Sequence, residues 1–87
     1  MAMACKGMAK VSEECCELGQ VAAKAWQAGG VDVPHWSGDL RAMAEDEMAD
    51  VLAAVEYATV RNGFDRAKIA ARMAWKLGLF EQWEQEP

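Results

Sequence analysis

Residues 40–61 read LRAMAEDEMADVLAAVEYATVR, and this stretch decides the fold because it has the spacing of an amphipathic helix. Ser37 or Asp39 is placed to cap its start, and Asn62-Gly63 is a typical helix stop. At about 100° per residue its apolar side chains share one face. That face comprises Leu40, Met43, Ala44, Met48, Val51, Leu52, Val55 and Ala58. We expect this face to pack in a helical core.

Acidic residues interrupt that apolar face. Glu47 falls inside it and Asp50 lies at its edge, three residues further along. An unpaired carboxylate among apolar side chains is unfavourable, so this position requires a cation or a proton. Glu14 and Glu17 repeat the spacing beside the apolar stripe of the preceding helix. Side chains three residues apart are neighbours on a helix, so each helix offers a pair of carboxylates.

The remainder of the chain also predicts helices. The first runs from about residue 3 to 28, where Gly29-Gly30 stops it and a loop follows to residue 38. The third, capped by Asp65, runs to about Leu77 and either ends there or resumes beyond Gly78, with a frayed tail over residues 81–87. No segment alternates apolar and polar residues long enough for a strand. We therefore expect a single all-α domain over residues 1–87, a helical hairpin with an extra arm in a bundle completed by dimerisation.

Composition excludes several classes of protein. A chain of 87 residues builds only a thin core, and 53% apolar with 26% charged residues excludes a disordered chain. The net charge of −5 argues against a nucleic-acid partner. The uncharged stretches are too short to cross a bilayer, and the sequence indicates no signal peptide. We therefore do not expect a membrane partner. Three cysteines, two of them adjacent, indicate small buried thiols in a reducing cytoplasm rather than disulfides.

Four carboxylates from two helices are able to converge on one site. Oxygen donors without a histidine–cysteine cluster favour a hard cation, Mg²⁺ or Mn²⁺, over zinc. The alternative is that these acids are ordinary solvated charges on helix surfaces, since the E-x-x-E spacing is common in helices. The position of Glu47 on an apolar face favours the metal site.

Two segments resemble a known family. Residues 10–18 read KVSEECCEL and resemble the K-x-x-E-E-x-x-E-L segment of MazG-like nucleotide pyrophosphohydrolases. Residues 47–52 read EMADVL and resemble the second segment of that family, E-x-x-D-V-L. Together they resemble the signature of the all-α NTP pyrophosphatase superfamily. The resemblance covers roughly residues 8–77.

The resemblance implies a fold, an activity and a set of site residues. Members are helical bundles that form homodimers or homotetramers and cleave nucleoside triphosphates between the α- and β-phosphates. With Mg²⁺ they yield a nucleoside monophosphate and pyrophosphate, which suits a house-cleaning role in the nucleotide pool. By resemblance Glu14, Glu17, Glu47 and Asp50 are the metal ligands. Glu13 would support the ligands or orient the attacking water, so the catalytic set is Glu13, Glu14 and Glu17.

Further residues are candidates for substrate binding. Arg72 and Lys76, one turn apart on the third helix, are candidates for contacting phosphate oxygens, as basic residues of the late helix do in relatives. Lys10 is placed to contact phosphate or to pair with Glu14, and Trp36 in the loop to stack on a base. The alternatives are a solvated or salt-bridged helix edge and a surface aromatic residue.

Two other functions fit the same pattern. The first keeps the site but changes the substrate to phosphoribosyl-ATP, as in the related enzyme of histidine synthesis. The second is a non-enzymatic helical dimer, an interaction module whose carboxylates merely solvate the surface. Metal binding distinguishes the second from either enzyme, and a panel of nucleotides distinguishes the two enzymes from each other.

Overall fold

A computed structural model describes residues 7–85, and within this range the chain is all-α. Three helices follow one another: α1 (Met8–Ala28), α2 (Leu40–Asn62) and α3 (Arg66–Gln85). No strand occurs in this range. The predicted all-α helical fold is confirmed. The predicted first turn of α1, residues 3–6, lies outside the described residues.

Capping residues set the helix ends where the sequence indicated. Gly29 ends α1 in the left-handed conformation with φ 95°, and Gly63 ends α2 in the same way with φ 63°. Asp39 is the cap of α2, because its carboxylate accepts a hydrogen bond from the Ala42 N–H at 3.1 Å. Ser37, the alternative cap, instead contacts Nδ1 of His35 at 2.7 Å. The capping residues therefore fix the loop length and the register between α1 and α2.

Helices α1 and α2 form the packed part of the chain, an antiparallel hairpin. Its buried apolar side chains are few and mostly small: Val21, Leu40, Ala54 and Ala58. Small residues let the two backbones approach closely. At the start of α1, Gly7 has φ 79° and an added Cβ would lie 3.0 Å from the Cα of Ala58, so a side chain there would be both strained and crowded.

Helix α3 continues further than the sequence predicted. It passes through Gly78 without a break and extends to Gln85. The alternative of a helix beyond Gly78 is thus confirmed, whereas the prediction of a frayed tail was wrong for residues 81–85. Contacts between side chains offset the glycine: the Phe80 and Trp83 rings lie 5.6 Å apart, and the Lys76 ammonium lies within 6 Å of both.

The attachment of α3 to the hairpin is polar and lies at its first turn. Asp65 caps the helix by accepting a hydrogen bond from the Lys68 N–H at 3.1 Å. Arg66 donates two hydrogen bonds to the Glu56 carboxylate, at 2.8 and 2.6 Å. Beyond this turn most apolar side chains of α3 remain exposed, so α3 is the arm of the predicted hairpin-plus-arm arrangement.

The predicted apolar face of α2 is covered on one side only. Leu40 and Ala58 are buried against α1, whereas Met48 is 53% and Leu52 66% exposed on the flank that points away from it. The prediction of buried thiols was also wrong for Cys15 and Cys16, which are both exposed, because none of the three helices between residues 7 and 85 covers that side of α1. The third cysteine, Cys5, lies outside the described residues. Across residues 7–85, none of the helices has both the length and the apolarity needed to cross a bilayer.

Candidate metal site

Helices α1 and α2 bring three carboxylates together at the middle of the hairpin. One carboxylate oxygen from each of Glu14, Glu47 and Asp50 lies within 4.8 Å of the other two. Glu14 comes from α1, and the other two come from successive turns of α2. We call these three residues the acidic cluster. The two helices are antiparallel and the loop fixes their register. Glu14 and Glu47 therefore face each other although they are 33 residues apart in the sequence.

Two oxygens of the acidic cluster are buried without a partner. Oε2 of Glu14 and Oε2 of Glu47 are inaccessible to solvent, and within residues 7–85 neither accepts a hydrogen bond. A buried carboxylate oxygen without a donor or a cation is unfavourable, so a cation between these side chains would satisfy them. The acidic cluster therefore offers oxygen ligands and requires either a cation or protons to relieve its buried negative charge.

Electrostatics in the acidic cluster favour the protonated acids. Burial raises the pKa of Glu14 above its ordinary value, and the negative charges of Glu17, Asp50, Glu13 and Glu47 raise it further. Burial also raises the pKa of Glu47, with Glu17, Asp50 and Asp46 adding to the effect. A bound divalent cation would reverse this effect by favouring the ionised carboxylates.

The other two predicted acids lie beside the cluster rather than in it. Glu17 is exposed, and its charge acts on both Glu14 and Glu47, but its carboxylate is not among the oxygens that lie within 4.8 Å of one another. Glu13 is exposed and accepts a hydrogen bond from the Lys10 ammonium at 3.3 Å. Its direct partner is thus a lysine on the same helix.

An open groove of about 340 Å³ begins at the acidic cluster and follows the line between α1 and α2. Its lining residues are Lys10, Glu14, Asp50, Ala53, Ala54 and Tyr57. Lys10 was a predicted substrate contact, and the groove places it next to Glu14. Tyr57 was missed, although it lies seven residues after Asp50 and so on the same side of α2, which is a signal that the sequence does contain.

The remaining predicted substrate contacts lie outside this groove. Arg72 lies on α3 with its guanidinium 4.2 Å from the centre of the Trp75 ring, and Lys76 lies near the same ring at 5.6 Å. Trp36, in the loop before α2, is 87% exposed and has its ring 5.3 Å from that of His35. In a single chain, these three residues do not meet the acidic cluster.

Comparisons of the chain with protein-family models, curated protein sequences and solved structures find no match.

Replacing Glu47 by glutamine is expected to stabilise the metal-free protein at pH 7 and to have little effect at pH 4. Because the folded-state pKa of Glu47 is raised, the folded protein binds more protons than the unfolded chain above a pH of about 4.3. Ionisation of Glu47 therefore lowers the stability of the folded protein as the pH rises. Glutamine does not ionise, so the variant does not lose this stability. Thermal unfolding in a chelator at both pH values measures the difference.

The matched control for this measurement is Glu45→Gln, an exposed position on the same helix. Asp32 and Glu56 have lowered pKa values because Arg41 and Arg66 donate hydrogen bonds to them, so they stabilise the fold at neutral pH instead. Their contribution is common to all variants and cancels in the comparison. An equal effect of Glu47→Gln and Glu45→Gln at pH 7 would contradict the role given to burial at Glu47.

Proposed function

We propose that this chain is a Mg²⁺-dependent nucleoside triphosphate pyrophosphohydrolase that cleaves between the α- and β-phosphates. The observation that carries the proposal is the acidic cluster, in which carboxylates from two helices meet with two buried oxygens unpartnered among the described residues. The two segments that supply these carboxylates are those that resemble the MazG-like signature. Mn²⁺ has the same preference for oxygen ligands and is expected to substitute.

The residues present fit a hard divalent cation. Glu14, Glu47 and Asp50 offer only oxygen ligands, and the charge of Glu17 acts on both Glu14 and Glu47. Mg²⁺ and Mn²⁺ prefer such ligands, whereas zinc sites are richer in histidine and cysteine. When bound, the ion supplies neutralisation of phosphate charge and a lowered pKa for a coordinated water.

The chain's own residues position the substrate around this charge. Lys10 lines the groove beside Glu14, so its ammonium is placed to contact a phosphate oxygen that extends beyond the acidic cluster. Glu13 accepts a hydrogen bond from the Lys10 ammonium at 3.3 Å. A carboxylate that the ion leaves free, Glu17 or Glu13, would then take a proton from water.

A panel of nucleoside triphosphates with Mg²⁺ tests the proposal, with pyrophosphate and orthophosphate measured separately. Pyrophosphate with a nucleoside monophosphate is the expected pair of products. Orthophosphate would indicate cleavage elsewhere in the triphosphate, and no product from any substrate would remove the proposed activity. Phosphoribosyl-ATP belongs in the same panel, because it distinguishes the related activity of that substrate class from a nucleotide house-cleaning role.

We also propose that two copies of this chain form a homodimer through an apolar surface shared by α2 and α3. Two such homodimers would associate to form a homotetramer. We call it the apolar stripe, and its residues are Met48, Leu52 and Val55 on α2 and Met73, Leu77 and Phe80 on α3. All six side chains are exposed in the single chain, from 38% at Val55 to 66% at Leu52. Exposed apolar surface on this scale marks an interaction site.

The exposed area fits a second copy as the occupant. The accessible surface is 6803 Å², whereas a compact monomer of this mass exposes roughly 5,000 Å². The radius of gyration is 15.6 Å, against about 12 Å for a compact chain of this length. Two chains that each covered the excess would bury an area in the range of obligate homodimers, roughly 2,000–5,000 Å² in total.

The setting we propose for the enzyme is the cytoplasm. Cys15 and Cys16 are free thiols on the exposed side of α1, and a reducing compartment preserves such thiols. A purely non-enzymatic dimer, the alternative function, would account for the apolar stripe. It gives no reason for the two buried carboxylate oxygens that lack a partner in the described residues.

A further inference from the structure

The groove that leaves the acidic cluster changes character along its length. It begins at Glu14 and Asp50, passes Lys10 on the wall formed by α1, and crosses a floor made by Ala53 and Ala54. Tyr57 closes the far end. The lining of the groove thus changes from two negatively charged side chains, past one positively charged side chain, to an apolar and aromatic section. The volume of about 340 Å³ lies at the lower end of the range for small-molecule sites.

The Tyr57 ring is held in place at that end. A Cβ added to Gly7 would lie 3.0 Å from Cδ2 of Tyr57, so the start of α1 packs directly against the edge of the ring. The Arg61 guanidinium lies 5.6 Å from the ring centroid, at cation–π distance. The ring nevertheless remains 51% exposed. An aromatic side chain fixed by its neighbours and open to solvent contacts a flat ligand with little loss of conformational entropy.

The floor of the groove has the shape that a flat group requires. Ala53 and Ala54 have the smallest side chains that are compatible with a stable helix, and they leave the space beside Tyr57 empty. Asp50 and Tyr57 are seven residues apart on α2, which corresponds to a rise of about 10.5 Å. This span separates a section suited to metal-bound phosphate from a section suited to an uncharged ring.

We infer that the section formed by Ala53, Ala54 and Tyr57 binds the nucleoside part of the substrate, with the Tyr57 ring against the base. The inference rests on the proposed function, because the phosphates anchor the ligand at the acidic cluster. It assigns base contact to the open end of the hairpin. Trp36, the residue that the sequence suggested for this role, lies at the opposite end, in the loop between α1 and α2.

The test compares Tyr57→Ala, Tyr57→Phe and Ala53→Leu with the unmodified chain in Mg²⁺-dependent hydrolysis. Loss of a base–aromatic contact is expected to raise KM about tenfold or more in Tyr57→Ala, with kcat changed far less. Tyr57→Phe retains the ring and is expected to retain KM. Ala53→Leu fills the floor without removing a packing contact, so it should raise KM even if Tyr57→Ala loosens the hairpin. Val60→Ala, one turn from Tyr57 and outside the groove, is the control.

Inorganic tripolyphosphate separates the two halves of the site. It lacks a nucleoside, so its inhibition constant is expected to be the same in Tyr57→Ala and in the unmodified chain. An inhibition constant that rises as much as KM would overturn the inference, because Tyr57 would then act on the phosphate section. An unchanged KM in both Tyr57→Ala and Ala53→Leu would overturn it as well, and so would a tenfold rise of KM in Trp36→Ala alone.

Failure of the proposed activity is distinguishable from failure of this inference. If the unmodified chain hydrolyses no nucleotide, a nucleoside monophosphate with Mg²⁺ is titrated into isotope-labelled protein and followed by NMR. Chemical-shift changes at Ala53, Ala54 and Tyr57, with those at Ala54 and Tyr57 lost in Ala53→Leu, would support the groove as a nucleoside site. No change at these residues in the unmodified chain would overturn it.

Discussion

Glu47→Gln and Glu14→Gln are each expected to lower Mg²⁺-dependent pyrophosphate release by about 100-fold or more while the helical fold is retained. Each variant replaces one of the two carboxylates whose buried oxygen lacks a donor in the described part of the chain. An amide keeps the shape of the side chain but removes the negative charge that a divalent ion needs. Steady-state kinetics, with circular dichroism to verify the fold, measures the effect.

The same two variants are expected to lose stabilisation by metal. A ligand that binds only the folded state raises the melting temperature with its concentration, so Mg²⁺ or Mn²⁺ should stabilise the unmodified chain. In Glu47→Gln that shift should largely disappear, although the metal-free variant itself melts higher at pH 7. Glu47→Gln would thus raise the melting temperature without metal and reduce the shift that metal causes. A substitution that only damages packing is not expected to have both effects.

Asp46→Asn is the matched control for both measurements. Asp46 precedes Glu47, is exposed, and lies outside the acidic cluster, so its loss changes the formal charge without removing a ligand. Near-normal activity is expected. Full activity in both Glu47→Gln and Glu14→Gln would contradict the proposed site, and equal losses in all three variants would show that overall charge, rather than ligation, is responsible.

The helices and the acidic cluster were largely predictable from the sequence, because both depend on local signals. Asp39 and the glycines at 29 and 63 end or begin helices through their own backbone and side-chain chemistry. Glu47 stood out because it interrupted an apolar face, and the structure places it half-buried beside Glu14. The periodicity of α2 alone singles out Glu47, whereas its meeting with Glu14 depends on how α1 and α2 pack.

Features that depend on packing were not predictable in the same way. The helical spacing of α2 predicted one wide apolar face, but only part of that face is buried, and Leu52 is left exposed. The continuation of α3 past Gly78 depends on contacts among Lys76, Phe80 and Trp83 that offset the glycine. The groove that ends at Tyr57 depends on antiparallel register, which places Lys10 opposite Ala53 and Ala54.

Leu52→Asp is expected to convert a dimer into a monomer. Leu52 is 66% exposed in the single chain, so a substitution there should change monomer stability by no more than about 0.5 kcal/mol. At the centre of the apolar stripe in a dimer, the same change would bury an unpaired carboxylate in each interface. Light scattering coupled to gel filtration is expected to give the mass of two chains for the unmodified protein and of one chain for the variant.

Val60→Asp is the matched control, because Val60 is 62% exposed on α2 but lies outside the apolar stripe. The two variants introduce the same charge on the same helix at nearly the same exposure in a single chain, so only the position relative to the proposed interface differs. The control is expected to retain the dimer mass and a melting temperature close to that of the unmodified protein. A monomeric unmodified chain, or an equal response of the two variants, would contradict pairing through the apolar stripe, because position would then have no influence on assembly.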